Sequence, residues 1–274
     1  MNKHTVIRLA TALTVGGLFC DLATAADSAG MLYGVRLMNG QLVVRSLDLN
    51  NSRSDEKRVT LPNTGTGRLT GIFQRKDGSI NLLLTATGRQ STRRSSVRVI
   101  GVRGQLMNVS AAEIGGLASS YAIASVLVPD AGAPLALISH HSDTPRYWLA
   151  NVDLQSGTVS LLDTIALDPH ARYAHLTQCP DGRIYAVAAR READMQLVQV
   201  DVEKAAIVLV GHIEASGRPL LSDIRDLACA PSGQLYALAD PTYSGTNSLF
   251  AMDRSTAQMR PLITFDVDRM AFVR

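Results

Sequence analysis

Cysteine is scarce in this chain, with three among 274 residues, and the formal net charge is only +3. A charge this close to balance gives no electrostatic footprint for nucleic acid. Two of the thiols, Cys179 and Cys229, have no neighbouring histidines to complete a metal set. Apart from the amino end, no stretch is apolar over the roughly 18 residues that a membrane helix needs. Helical periodicity is weak everywhere, and residues 110–117 are the only short candidate. No serine sits in a Gly-x-Ser-x-Gly context, and the cysteines, in strand interiors, offer no thiol nucleophile. What is present is a 46% hydrophobic share, ample for a buried core.

The amino end has the three parts of an export signal. Lys3 and Arg8 precede an apolar run over residues 9–19, and small residues follow at Ala23 and Ala25. The run is too short for an uncleaved anchor, and Phe19 before Cys20 argues against a lipoprotein. We therefore expect a signal peptide over residues 1–25 and a single mature domain over 26–274, with no transmembrane segment, in the periplasm or secreted. An oxidising compartment permits a Cys179–Cys229 bond. The two residues stand one register step apart in neighbouring repeats, so strand alternation leaves open whether they face each other.

A turn followed by a strand, as in Gln178-Cys179-Pro180-Asp181-Gly182-Arg183-Ile184-Tyr185-Ala186, recurs along the chain. Equivalent turn positions are Asp27, Asp77, Asp130, Asp181 and Ser232, at intervals of 50, 53, 51 and 51 residues. Alternating apolar strands end at Asp48, Arg103, Asp153, Asp201 and Asp253, at intervals of 55, 50, 48 and 52. One period reads as four strands, at residues 174–179, 183–189, 196–201 and 207–213, joined by turns. Two markers with one period, and four strands in each, resemble the β-propeller superfamily over essentially the whole mature chain. The resemblance implies an all-β fold, a five-bladed β-propeller of four-stranded antiparallel blades. Residues 266–274 align with 223–231, so the last strand is expected to be the innermost strand of the blade begun by residues 31–62, closing the ring. No Trp-Asp endings or Ser-x-Asp-x-Gly-x-Thr-Trp boxes occur, and Trp148 is the only tryptophan, so no particular propeller family is indicated.

In propellers the long loops gather on one face around the central channel, opposite turns of the Pro-Asp-Gly type, and loops on a rigid scaffold are where binding residues concentrate. Aligning the inner strands by their turn markers gives two rings at the channel mouth. One is Gly71, Ala124, His175, Asp226 and Arg269; the other is Arg68, Tyr121, Arg172, Asp223 and Asp266. Arg225 and Asp268 stand beside them. The candidate ligand-binding set is thus Arg172, His175, Asp223, Arg225, Asp226, Asp266, Asp268 and Arg269, facing a small side at Gly71 and Ala124. Such charges either hold a ligand by directed hydrogen bonds or pair with each other and close the channel.

Further contacts are expected from the loops through Arg89, Arg93, Arg94, His140, His141 and Tyr243, with Tyr121, Tyr147 and Tyr173 available to stack on sugar rings. Adjacent His140 and His141 point apart in a loop and suggest no metal. Tyr185 and Tyr236 read as blade core. The function that follows is an exported, non-catalytic ligand-binding or protein-interaction propeller with no cofactor. Its partner is an unidentified small molecule, glycan or envelope protein. The alternative is a hydrolase using two of Asp223, Asp226, Asp266 and Asp268 on a glycan or phosphorylated substrate, with carboxylates about 5–9 Å apart.

Overall fold

A computed structural model of the chain describes residues 31–38, 41–60, 67–74, 80–87, 95–103, 106–113, 121–129, 132–140, 146–156, 158–162, 165, 167–190, 195–220 and 222–272. The export signal therefore lies outside the described residues, as do Arg89, Arg93, Arg94 and His141. The chain opens with β1 (Met31–Met38), β2 (Gln41–Asp48) and β3 (Arg53–Thr60), followed by β4 (Gly67–Gln74), β5 (Ile80–Thr87), β6 (Ser95–Arg103) and β7 (Leu106–Glu113). A third group is β8 (Tyr121–Leu127), β9 (Leu135–His140), β10 (Arg146–Val152) and β11 (Val159–Leu161). The fourth is β12 (Arg172–Gln178), β13 (Ile184–Ala189), β14 (Met195–Asp201) and β15 (Ala206–His212). Then come β16 (Glu214–Ala215), β17 (Arg218–Pro219), β18 (Ile224–Cys229), β19 (Leu235–Ala239), β20 (Ser248–Met252), β21 (Gln258–Thr264) and β22 (Arg269–Phe272).

These strands form five sheets, and their innermost strands, β4, β8, β12, β18 and β22, contact one another in a closed ring. The architecture is a β-propeller. The last strand, β22, pairs antiparallel with β1 at Leu32–Phe272, Tyr33–Ala271, Gly34–Met270 and Val35–Arg269, so the chain's two ends share one sheet. Of the short helical candidate over residues 110–117, residues 110–113 are strand instead, and 114–117 lie outside the described residues. Ser110 to Glu113 complete β7, paired across to β6, where β-ladder hydrogen bonds replace a helix too short to be stable alone. One sheet departs from four antiparallel strands. A hairpin of β16 and β17 turns at Ser216 and Gly217, both at positive φ, and β16 adds parallel to the outer edge of β21.

Strand alternation explains how the core is divided. In β13, Tyr185 and Val187 pack with Leu227, Leu235 and Phe250 of the next sheet, whereas Ile184, Ala186 and Ala188 pack with Leu137 and Leu149 of the preceding one. Every sheet is thus buried on both faces, and five apolar wedges, one between each pair of neighbouring sheets, take the place of a single core. The wedge that spans the closure contains Leu32, Leu47, Leu238, Leu249, Phe265, Val267 and Phe272. Tyr185 is fully buried, and Tyr236 stacks against Phe272 with ring centroids 5.3 Å apart, so both serve the blades as expected.

Cys179 and Cys229 are joined by a disulfide with Cα atoms 5.1 Å apart. Cys179 stands one residue past the end of β12, in the turn where its N–H bonds the Arg183 carbonyl, so strict strand alternation does not set its direction. The bond closes a separation of 50 residues. By loop-closure entropy, removing it through Cys179→Ser with Cys229→Ser should cost about 4 kcal/mol, read as a fall in the urea midpoint without a change of fold. An unchanged midpoint in the double variant and under reductant would refute that assignment. At the closure, a Cβ on Gly34 would stand 2.7 Å from both methyls of Val267 and 2.8 Å from the Phe265 ring. Gly34→Ala should therefore destabilise by about 1–3 kcal/mol, because the crowding atoms belong to a fully packed wedge.

Candidate functional site

The inner strands begin on the face that carries the long loops, and each of β4, β8, β12 and β18 has a bulge near that end. A bulge adds one unpaired residue and re-aims those beside it. The pairing between bulge and turn decides which residues are equivalent. Asp226 pairs with Leu238, Gly71 with Leu83 and Ser125 with Leu137, so Ser125, rather than Ala124 as the turn markers suggest, shares the register of Asp226. Ser125 uses that place structurally: its hydroxyl accepts the Leu176 N–H at 3.0 Å, linking β8 to β12.

Three of the sequence-predicted residues converge. His175 Nδ1 lies 3.5 Å from Asp226 Oδ1, and Asp226 Oδ2 accepts the Met270 N–H at 2.7 Å. Arg269, buried beside them, donates from one guanidinium nitrogen to the carbonyls of Arg225 at 2.6 Å and Asp268 at 2.7 Å. This layer ties β12, β18 and β22 together. His175 has a φ of 58°, a left-handed conformation uncommon for a side chain of this size. Burial holds its pKa below the ordinary histidine value; the Arg269 charge acts in the same direction, and contact with Asp226 opposes them.

Asp266 and Asp268 do not join that layer. They face Arg36 on β1: Arg36 pairs with the Asp266 carboxylate, and Asp268 accepts the Leu37 N–H at 3.3 Å. Asp266 further accepts the Asn247 N–H at 3.3 Å, while its carbonyl takes a hydrogen bond from Arg45 at 2.9 Å. Both aspartates staple the closing segment to the first sheet. Arg36 was missed in the sequence because it belongs to a strand remote in the chain, with no turn marker pointing to it.

Arg172, Asp223 and Arg225 are the members that remain outward. All three are exposed, at the same end of the adjacent strands β12 and β18, and make no ion pair or side-chain hydrogen bond among the described residues. Next to them Ser222 is buried, and its hydroxyl has no partner among the described residues. An unsatisfied group of this kind costs about 1–3 kcal/mol.

On the same rim the loop after β19 is built around Asp240. Its carboxylate accepts the N–H groups of Gly245 at 2.6 Å and Ser244 at 3.1 Å, and the hydroxyls of Ser244 and Thr242 at 3.2 Å. Burial works against the charge, but these donors outweigh it and hold the Asp240 carboxyl below its ordinary pKa. The loop so formed carries Tyr243 at φ 53° and 69% exposed. The run Asp-Pro-Thr-Tyr-Ser-Gly, an aspartate followed by hydroxyls and a glycine, is the signal that could have identified this brace.

Other expected contacts fall elsewhere. His140 ends β9 instead of lying in a loop, because Arg146 and Tyr121 pair with it from either side, and its ring meets Trp148 edge-on. Tyr147 and Tyr173 pack against each other at 6.0 Å between two sheets, so neither is a free stacking platform. Among the described residues no three His, Cys, Asp or Glu side chains converge as a metal set would. No helix of the described residues is long and apolar enough to cross a membrane.

Because the His175 pKa is depressed on folding, the unfolded chain takes up this proton first as pH falls. Its contribution is present above the unfolded value of about 6.5 and is lost as pH drops below it, at no more than about 1.4 kcal/mol per pH unit. Melting temperatures between about pH 6.5 and 5, above the carboxylate range, should fall for the native chain and less for His175→Asn, which tolerates positive φ. Identical slopes would remove His175 as the cause.

No family model matches this chain, and no curated protein matches it by sequence. Solved structures do. A thermostable family-43 glycoside hydrolase aligns with a TM-score of 0.50 and 10% identity, over 86% of this chain and 96% of that one. The calcium-binding protein regucalcin from Agrobacterium tumefaciens aligns with a TM-score of 0.47 and 13% identity, over 91% and 81%. A protein from Lactobacillus plantarum gives 0.49 and 12%, over 89% and 99%. At these identities the likeness is one of fold, and propellers of one shape carry many chemistries.

Proposed function

We propose that this chain is an exported, non-catalytic binding propeller that engages its ligand or protein partner through the rim of Arg172, Asp223, Arg225 and Tyr243. One observation carries the reading. Of the four aspartates that could supply a hydrolytic pair, Asp226 accepts Met270 N–H and contacts His175, and Asp266 and Asp268 brace the closure against Arg36, which leaves only Asp223 unengaged. Glycoside hydrolysis of the usual kind needs two carboxylates in cooperating roles.

The rim also has what a binding surface uses. Arginine forks recognise carboxylate or phosphate in two-point fashion, and an exposed tyrosine on a braced loop offers a flat face at small entropic cost. The Cys179–Cys229 bond favours an oxidising compartment, consistent with export through cleavage after Ala25.

The purified mature chain should show no turnover on a panel of glycosides and phosphoesters, and should bind a member of a glycan array or an envelope-protein extract. Replacing Tyr243 with Ala together with Arg225→Ala should weaken that binding about tenfold or more, since charge-assisted hydrogen bonds and stacking are both removed. Turnover that Asp223→Asn abolishes would overturn the reading in favour of a hydrolase. Binding untouched by the rim variants would move the interaction to another surface.

A further inference from the structure

The outermost strand of a sheet presents one side of its backbone to solvent, a row of N–H and C=O groups able to pair with another strand. Several outer strands of this ring are blocked. Of the eight residues in β3, five are charged: Arg53, Asp55, Glu56, Lys57 and Arg58. β11 has only three residues. β21 carries Pro261, which has no N–H, and its edge is partly covered by β16, which pairs with Gln258 and Met259. β15 has none of these devices. Its sequence, Ala206-Ile207-Val208-Leu209-Val210-Gly211-His212, contains no proline, lysine, arginine or carboxylate, and no strand of the described residues pairs with its outer side.

Apolar side chains flank that edge on both faces of the sheet. Val208 stands opposite Gln199, which in turn stands opposite Tyr185, on the face toward the last sheet. Leu209 stands opposite Val198, on the face toward the third sheet, where Ile207 lies as well. Val208 is 52% exposed and Leu209 53%, more than any other large aliphatic side chain among the described residues. The free stretch has two ends. Before it, the turn is fixed by the Lys204 N–H on the Asp201 carboxylate at 2.9 Å. After it, Val210 forms a bulge, and a Cβ on Gly211 would stand 2.7 Å from the Thr256 carbonyl oxygen. The regular open edge is thus Ala206 to Leu209.

We propose that this edge pairs with the same edge of a second copy of the chain, antiparallel about a two-fold axis at Val208, joining two sheets into one across a homodimer. A row of main-chain donors and acceptors is satisfied by another extended strand. Burying that strand costs least where it carries no charge, and β15 carries none. Residues directly opposite each other lie on the same face, so Val208 meets its own copy and Leu209 meets Ile207 of the other protomer, apolar against apolar on both faces. The contact is isologous, so it uses both edges and stops at two copies. It lies on the outer wall of the ring and not on the long-loop rim, so either proposal can fail alone.

The test is sedimentation equilibrium of the mature chain from low micromolar to submillimolar concentration, where a reversible monomer–dimer equilibrium is expected. Val208→Lys should raise the dissociation constant about tenfold, since two ammonium groups then meet at the axis. Val208 is exposed, and an unchanged melting temperature of the dilute variant establishes that it folds. Under mild oxidation Val208→Cys should give a disulfide-linked dimer, because opposite Cα atoms in an antiparallel pair stand about 4.5–5.5 Å apart, within disulfide reach. Arg53→Cys, on the exposed outer strand β3, should not. A monomer at every concentration, a dimer that Val208→Lys leaves intact, or equal cross-linking through both cysteines overturns the proposal.

Discussion

The hydrogen-bonded ladder between β22 and β1 is the constraint on which the molecule depends. Each sheet hides both faces only because it has a neighbour on each side, so the ring is stable as a closed object and not as a row. Without that ladder, β1 would be a bare inner edge, and the wedge containing Leu32, Phe265, Val267 and Phe272 would open to water. The ladder is short, four residue pairs, and other groups reinforce it. Asp268 N–H bonds the Val35 carbonyl at 2.8 Å, Asn247 donates to the Val267 carbonyl at 2.8 Å, and Arg36 and Arg45 hold Asp266 from the other side. Charged residues near the channel mouth therefore answer first to the needs of closure.

Much of this was legible in the sequence because propeller geometry is periodic. The spacing of Asp77, Asp130, Asp181 and Ser232 located the inner strands, and the alignment of residues 266–274 with 223–231 identified the closing strand and its partner. Alternation along Ile184, Tyr185, Ala186 and Val187 reflects burial against two neighbours, and each of these residues is buried. Local chemistry of this kind survives in one dimension because turn angles and strand period are set by residues close in the chain.

Contacts between distant residues were not legible. Ring positions counted from the turns assume that every marker holds the same place in its turn, and the count from Asp130 falls one residue away from the observed pairing, in which Ser125 meets Leu137 as Asp226 meets Leu238. The pairing of Arg36 with Asp266 joins residues 230 apart, and nothing in the local pattern of β1 distinguishes Arg36 from an ordinary exposed strand residue. The β16–β17 hairpin was missed for a related reason: two-residue strands carry no alternation to read. Asp181 shows the same limit from the other side. It reverses the chain as its turn context indicates, with Gly182 at φ 81° donating to the Cys179 carbonyl, yet it also clamps Arg254 from the next sheet.

The two faces of the propeller therefore divide the charge differently. On the long-loop face, half-buried His175 and buried Asp226 and Arg269 bond mainly to one another and to backbone, forming a floor beneath exposed Arg172, Asp223 and Arg225. A buried charge must be partnered to be tolerated, whereas an exposed one is free to meet something else. A floor of committed groups under a rim of uncommitted ones suits recognition, because a ligand gains contacts at the rim without disturbing those that hold the ring. Recruiting Asp226 as a second acid would mean withdrawing it from Met270 N–H and loosening the junction of β18 with the closing strand. Stability and any second carboxylate function would compete for the same oxygen atoms, and in this arrangement closure already holds them.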